Sequence, residues 1–213
     1  MTAQLFCFGE SGHSYKAALT LELSGYDWQP VYVDFFNGEV RANAYREMNE
    51  MAEAPVFRED GLTLTQSAVI QLHVAEKTGK FLDGDRNEIL RWLFWDNHKL
   101  SSAIGSTRFL MNFIPEGKRP LEVIAFQQAR LKSAYKLLDG HLSGRDWIAG
   151  DAATIADFTC CGYLYYPEPF GFDRAEWPHI SAWLERIASL PGWKHPYDLM
   201  PGNPSDRAPK EDK

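Results

Sequence analysis

Cysteine is scarce in this sequence of 213 residues. The three cysteines, Cys7, Cys160 and Cys161, form no Cys-x-x-Cys motif, and their odd number provides no disulfide framework. We therefore expect free, buried thiols and a reducing compartment, the cytoplasm. The six histidines include no pair at the helical spacing of metal ligands, so the sequence predicts no metal site.

Long apolar runs and an excess of positive charge are also absent. The 22 basic residues are outnumbered by 29 acidic ones, and the net charge of −7 disfavours nucleic acid and anionic membrane surfaces as partners. No segment approaches the roughly 20 apolar residues of a membrane-spanning helix. The apolar run from Leu5 to Phe8 is too short for a signal peptide. With 45% hydrophobic residues, the chain can instead form a substantial core.

The N-terminal part of the chain has the pattern of a small α/β layer. A strand from Gln4 to Phe8 precedes a helix that stops at Ser24-Gly25, and a second strand runs from Pro30 to Phe35. A βαβ unit of this length predicts two parallel strands. A polar, weakly helical segment from Asn37 to Asn49 follows.

The segment from Ala54 to Gly79 completes this layer. Asp60-Gly61 is a hairpin signal between two short strands, the first of which starts after Pro55. Gln66-Ser67 opens a helix that Gly79 closes. A strand edge beside a helix start can hold the carboxylate and amide of a peptide-like ligand. The predicted order is βαβαββα, which forms a mixed four-stranded sheet.

Beyond Lys80 the periodic segments are helical. A long run carries apolar residues at helical spacing from Ile89 to Ile104. Thr154-Ile155-Ala156-Asp157 is a capping box that opens an apolar helix extending to about Tyr165. The predicted units are an α/β domain (residues 1–80), an all-α domain (residues 87–199) and a flexible tail (residues 200–213).

Three segments of the sequence resemble the cytosolic glutathione transferases. Asn49 to Phe57 is similar to the family's Asn-Pro-x-Gly-x-Val-Pro-x-Leu run, and Gln66 to Ile70 is similar to its Glu/Gln-Ser-x-Ala-Ile motif. Ile148 to Asp157 is similar to its Leu-x-Gly-Asp-x-x-Ser/Thr-x-Ala-Asp box. The resemblance extends over nearly the whole chain. It implies a thioredoxin-like N-terminal domain followed by an all-helical substrate domain.

The resemblance also implies glutathione as the co-substrate. Pro55 is expected in the cis form, and the backbone of Val56 is expected to pair with the cysteinyl part of glutathione. Gln66 and Ser67 are expected to hold the γ-glutamyl group, because a helix N-terminus and a hydroxyl suit a carboxylate. The family further implies a homodimer that acts on a small hydrophobic electrophile.

The group that ionises the glutathione thiol is expected in the loop after the first strand. Phe6 and Phe8 lack a hydroxyl, which disfavours the family's tyrosine variant. The loop that starts at Ser11 is similar to the zeta-class Ser-Ser-Cys-Ser-Trp-Arg run, which places Ser11 at the catalytic serine and His13 at the position of the beta-class cysteine. Ser11 would donate to the thiolate as a hydroxyl, or His13 as an imidazolium or N–H tautomer. Ser14 would cap the helix beside the bound glutathione.

One position departs from the family pattern. Glu53 stands where the family usually places a lysine or glutamine, and a carboxylate there would repel the glycyl carboxylate of glutathione. The main expectation is a glutathione S-transferase, and two alternatives stay open. The zeta-like loop favours a glutathione-dependent isomerase or dehalogenase. Glu53 favours a non-catalytic binding module of the same fold.

Overall fold

The computed structural model describes residues 2–202, which form two compact units. The first unit comprises residues 2–78 together with residues 194–202, and the second comprises Gly79–Trp193. Most of the tail predicted for residues 200–213 lies outside the described residues. Within the described part, no helix is long and apolar enough to cross a membrane.

The first unit is built on a mixed sheet of four strands in the order β2-β1-β3-β4. The strands are β1 (Ala3–Cys7), β2 (Trp28–Tyr32), β3 (Val56–Glu59) and β4 (Leu62–Thr65). β1 is parallel to β2 and antiparallel to β3, and β3 is antiparallel to β4. Leu5 and Phe57 face each other across the two central strands and are fully buried. The predicted mixed sheet is confirmed.

Helices cover this sheet and connect its strands. They are α1 (Gly12–Ser24), α2 (Asn43–Arg46), α3 (Ser67–Thr78), α9 (Pro196–Leu199) and a 3-10 turn at Glu39–Arg41. α1 and α3 pack together, and Gln71 donates to the buried hydroxyl of Thr20 at 3.1 Å. Gly25 and Gly79 follow these two helices with φ values of 68° and 67°, a conformation in which glycine avoids the cost of a Cβ atom.

The hairpin between β3 and β4 turns at Asp60 and Gly61, whose φ values are 46° and 83°. A two-residue hairpin turn of this kind needs positive φ at both positions, which the Asp-Gly pair tolerates. The predicted turn is confirmed. It brings the start of β3 beside the end of β4.

The segment after Trp193 returns to the first unit. The hydroxyl of Tyr15 donates to the carbonyl of Lys194 at 2.9 Å, and the hydroxyl of Tyr197 donates to Glu10 at 2.9 Å. These contacts place residues 194–199 with the sheet unit, whereas the sequence division assigned them to the helical domain. A single short helix has no apolar periodicity from which its partner could be inferred.

The second unit is helical, as predicted. Its helices are α4 (Arg86–Trp95), a π-helical segment (Asp96–Ser101), α5 (Ser102–Asn112), α6 (Leu121–Leu142), α7 (Ile155–Cys160), α8 (Pro178–Ala188) and 3-10 turns at Glu116–Lys118 and Arg174–Glu176. The long run predicted around Ile89–Ile104 is therefore interrupted by a π segment, within which Ser101 donates to the buried Asp96 at 2.7 Å.

Gly150→Ala should lower the free energy of unfolding by about 1–3 kcal/mol. A Cβ atom at this position would lie 2.7 Å from the carbonyl oxygen of Asp83, a contact that only a backbone shift could relieve. Gly117→Ala is the matched control, since a Cβ there meets no atom within 4 Å. Urea unfolding of both variants would measure the effect, and equal stability of the two would contradict this account.

Candidate active site

The loop after β1 ends in the N-cap of helix α1. Ser11 has extended backbone angles (φ −93°, ψ 106°), and its Oγ accepts from the backbone N–H of Ser14 at 3.1 Å. Ser14, expected to cap the helix, instead occupies the third helical position, because α1 begins at Gly12. This expectation was wrong, since Ser11 performs the capping.

The capping bond leaves the proton of the Ser11 hydroxyl available. A serine hydroxyl can accept two hydrogen bonds and donate one. Within residues 2–202, the Ser11 hydroxyl makes only the capping bond, in which it accepts. The residue is 6% exposed and stands at the positive end of a 13-residue helix. This arrangement favours an anion at the Ser11 hydroxyl.

Ser14 and His13 lie in the same first turn of α1. The Ser14 hydroxyl is fully buried and has no hydrogen-bond partner among residues 2–202. Burial and the nearby charge of Lys16 lower the pKa of His13 to about 3. The imidazole is therefore neutral at neutral pH, which excludes the imidazolium as a donor there. A neutral N–H tautomer is the form in which His13 could donate.

The sheet register brings three predicted segments to one end of the sheet. Val56 pairs with Phe6 near the end of β1, and the chain continues from there into the Ser11 loop. Val56 also pairs with Thr65 at the end of β4, which leads directly into Gln66 and Ser67. The Ser11 loop, the start of β3 and the start of α3 therefore meet at this end.

Pro55 immediately precedes β3, and the Ala54–Pro55 bond is cis, as the resemblance implied. Val56 has a paired strand on each side. In such a ladder, the N–H and C=O of one residue point toward one neighbouring strand. The backbone of Val56 is thus engaged within the sheet, whereas Ala54 and Pro55 lie outside β3.

The start of α3 presents unused donors. Gln66 has a positive φ of 69°, and Ser67 is the first helical residue. The backbone bonds of the first turn begin with Val69 and Ile70, which both donate to Gln66. Within the described chain, the N–H groups of Ser67 and Ala68 and the Ser67 hydroxyl therefore have no hydrogen-bond partner. Such donors at a helix N-terminus form an anion site.

The loop before Pro55 is fixed by a buried asparagine. Asn49 donates to the carbonyl of Glu53 at 2.7 Å, and the Tyr45 hydroxyl donates to the same carbonyl at 3.0 Å. The exposed Glu53 carboxylate accepts from Gln66 Nε2 at 3.1 Å. The sequence did not predict this contact, because nothing in the pattern connects two side chains 13 residues apart.

The cysteines of the described chain are poor candidates for a nucleophile. Burial raises the pKa of the Cys7 thiol to about 12, and Cys160 and Cys161 are also buried. A thiolate needs a depressed pKa and access to its substrate. If this site uses sulfur chemistry, the reacting sulfur therefore comes from a bound molecule.

Comparison with known proteins identifies the family. The family models described as glutathione S-transferase N-terminal domain and C-terminal domain match residues 1–76 and 102–191. A solved structure from Rhodopseudomonas palustris, described as a possible glutathione S-transferase, is 30% identical with a TM-score of 0.84, and the match covers 92% of this chain and 98% of that chain. The chain belongs to the glutathione transferase family.

Other relatives of this chain differ in their described activity. The disulfide-bond oxidoreductase YfcG of Escherichia coli is 27% identical over 194 residues, which cover 86% of this chain and 89% of YfcG. Glutathione S-transferase 4 of Zea mays is 29% identical over 206 residues, which cover 92% of this chain and 91% of the maize protein. Family membership is therefore established, whereas the relatives differ in the reaction that each is described to catalyse.

Proposed function

We propose that this transferase binds glutathione and ionises its thiol for attack on a small hydrophobic electrophile. Glutathione in its reactive form carries a thiolate and a γ-glutamyl carboxylate. Two helix starts with available donors, at Ser11 and Ser67, meet at one end of the sheet and match these two anions. This juxtaposition is the observation on which the proposal rests.

Each predicted site residue then has a proposed role. Gln66 and Ser67 hold the γ-glutamyl group, and Ser11 donates to the thiolate. The residue proposed to pair with the cysteinyl backbone is Ala54, which replaces Val56 because Val56 lies inside the sheet between β1 and β4. Pro55 precedes β3 at the same end of the sheet, and the buried Ser14 lies in the first turn of α1, where both would support the bound glutathione.

The stabilisation that the thiolate requires matches what one hydrogen bond and a helix N-terminus contribute. A free thiol has a pKa near 8.5, and lowering it by about two units requires about 2.7 kcal/mol. A hydrogen bond to a charged group contributes about 1.5–3 kcal/mol, and a helix N-terminus adds about 0.3–1 kcal/mol. Ser11 at the start of α1 can supply both. The neutral N–H of His13 is the second candidate donor.

The proposed transfer is a simple substitution or addition. The thiol proton leaves to solvent when the thiolate forms. The sulfur then forms a bond to an electrophilic carbon of the acceptor. Either a leaving group departs as an anion, or an activated double bond is attacked and its other carbon takes up a proton from solvent. The protein itself provides binding and charge stabilisation, while glutathione provides the nucleophile.

Disulfide exchange is a second candidate, favoured by the similarity to YfcG. The same thiolate would attack one sulfur of a disulfide and release the other as a thiolate, and a second glutathione would complete the reduction. Parallel assays with chlorodinitrobenzene and with hydroxyethyl disulfide separate the two reactions. Binding of glutathione with no turnover of either compound would support the isomerase or dehalogenase, or the binding module.

We also propose that the chain forms a homodimer. The helical unit exposes large apolar side chains on α4 and α6. Phe94 is 74% exposed, Leu121 is 70% exposed and Phe126 is 63% exposed. A second copy of the chain would remove such surface from water.

Ser67→Ala tests the binding part of the proposal. It should weaken glutathione binding about tenfold, since a hydrogen bond to a carboxylate contributes about 1.5 kcal/mol or more. Isothermal titration calorimetry measures this, with Thr63→Ala as the control, because Thr63 is an exposed hydroxyl of the neighbouring strand. Failure of the unmodified protein to bind glutathione, or equal affinity of Ser67→Ala, would overturn the proposal.

A further inference from the structure

The side chain of Glu53 lies beside the anion site at the start of α3. Its Oε2 accepts from Gln66 Nε2 at 3.1 Å, and Gln66 immediately precedes Ser67. Ser67 is only 7% exposed, yet its hydroxyl has no partner among residues 2–202. The negatively charged Glu53 carboxylate therefore lies next to hydrogen-bond donors that can bind an anion.

The orientation of Gln66 shows which of its atoms is available. Its Nε2 donates to Glu53 and also to the sulfur of Met51 at 3.3 Å. An amide nitrogen carries two N–H donors, so both are engaged. The amide oxygen of Gln66 accepts no hydrogen bond within the described chain, and neither does Oε1 of Glu53. The two acceptors belong to side chains in direct contact.

Donors for an anion and acceptors for a cation thus stand side by side. On one side are the N–H groups of Ser67 and Ala68 with the Ser67 hydroxyl. On the other side are the Glu53 carboxylate and the Gln66 amide oxygen. An α-amino acid head group has this complementary pattern, because it carries a carboxylate and an ammonium on the same carbon atom.

We propose that Glu53 is a specificity-determining residue that binds the α-ammonium of the γ-glutamyl group. The inference rests on the proposed binding of glutathione at this site. From the sequence, the Glu53 carboxylate was expected to repel the glycyl carboxylate of glutathione. The proposed role is the opposite, an attraction to a positive charge. In the structure Glu53 contacts the residue that precedes the helix start, and there it complements a positive charge.

The test compares two ligands and three forms of the protein. The ligands are glutathione and glutaryl-cysteinyl-glycine, which is glutathione without its α-amino group. Titration calorimetry measures both with the unmodified protein, with Glu53→Gln and with Glu50→Gln. Glu50 is an exposed acid of the same loop, so its variant makes the same change in net charge without touching Gln66.

Glu53→Gln should bind glutathione about fivefold more weakly, as expected for an exposed ion pair. Its affinity for the deamino ligand should not fall, so the preference for glutathione over that ligand shrinks. Glu50→Gln should retain the full preference. The opposite role predicts the opposite sign, because relief of repulsion from the glycyl carboxylate would tighten both ligands alike.

Unchanged or tighter glutathione binding by Glu53→Gln, with an unchanged preference, overturns the inference alone. The proposed function then stands, provided that Ser67→Ala still weakens binding. Absence of glutathione binding by the unmodified protein overturns both. The two failures are therefore distinguishable in one set of titrations.

Discussion

Ser11→Ala is expected to lower kcat/KM of the glutathione reaction about 100-fold, the usual effect of removing one donor from a developing or bound anion. The Ser11 hydroxyl accepts the capping hydrogen bond from the backbone N–H of Ser14, so its own proton is available for donation to the thiolate. Without that donor, the pKa of the bound thiol should rise by about two units, toward the value of about 8.5 for a free thiol. Thiolate absorbance against pH, measured on the glutathione complex, reports this directly.

The pH dependence of the rate follows from the same shift. The thiolate is the reactive form, so kcat/KM for the electrophile, measured at saturating glutathione, falls as the pH drops below the pKa of the bound thiol. Loss of the Ser11 donor should move this fall about two pH units higher. The variant would therefore recover activity in alkaline solution, whereas loss of a purely structural residue would not shift the profile.

A second substitution separates capping from donation. Ser11→Ala also removes an N-cap, which destabilises the protein by about 1 kcal/mol. Ser11→Asp retains a capping acceptor but offers no proton to a thiolate. We expect this variant to unfold near the unmodified temperature and still to lose the low thiol pKa. An unchanged thiol pKa in both variants would refute the role of Ser11, and a rise in His13→Ala instead would assign that role to His13.

Asp157→Ala should reduce the free energy of unfolding by about 3–5 kcal/mol, because it leaves several buried hydrogen-bond donors unsatisfied at about 1–3 kcal/mol each. The carboxylate is fully buried and accepts from the backbone of Ile148 at 2.9 Å and of Thr154 at 2.8 Å. It also accepts from the Thr154 hydroxyl at 3.1 Å and from the indole of Trp183 at 2.9 Å. Alanine would leave these donors buried without an acceptor.

The matched control is Asp151→Ala, because Asp151 is an exposed acid in the loop just before the capping box. Its stability should stay within about 0.5 kcal/mol of the unmodified protein. Urea unfolding followed by tryptophan fluorescence measures both variants. A loss below 1 kcal/mol for Asp157→Ala would show that the network contributes little beyond capping.

Short-range signals predicted their elements well. The Asp60-Gly61 turn, the helix ending at Gly79 and the capping box at Thr154–Asp157 all occur as expected. Each depends on backbone angles or hydrogen bonds between residues that are close in the sequence. In the capping box, for example, the Thr154 hydroxyl accepts from the backbone of the first turn and the Asp157 carboxylate accepts from the backbone N–H of Thr154, all within four consecutive residues.

The apolar composition of residues 155–165 led to a wrong prediction of helix length, because this segment is buried but is not helical throughout. The apolar stretch after Ile155 predicted a helix to about Tyr165, but α7 ends at Cys160 and the chain continues in buried turns. Tyr165 there donates to the carbonyl of Leu184 at 2.7 Å. Burial explains apolar side chains equally well in a helix and in a turn, so their presence could not decide between the two.

The sequence by itself determined the two-part architecture, the family and the segments that form the candidate site, because these depend on local patterns. Only the tertiary structure decided how Ala54 to Gly79 is used. In the structure, Val56 is paired with strands on both sides, and hydrogen-bond donors at Ser67 are available to a ligand. The Glu53 carboxylate accepts a hydrogen bond from Gln66. The physical reason is that strand register and side-chain hydrogen bonds join residues far apart in the chain, and packing alone selects those partners.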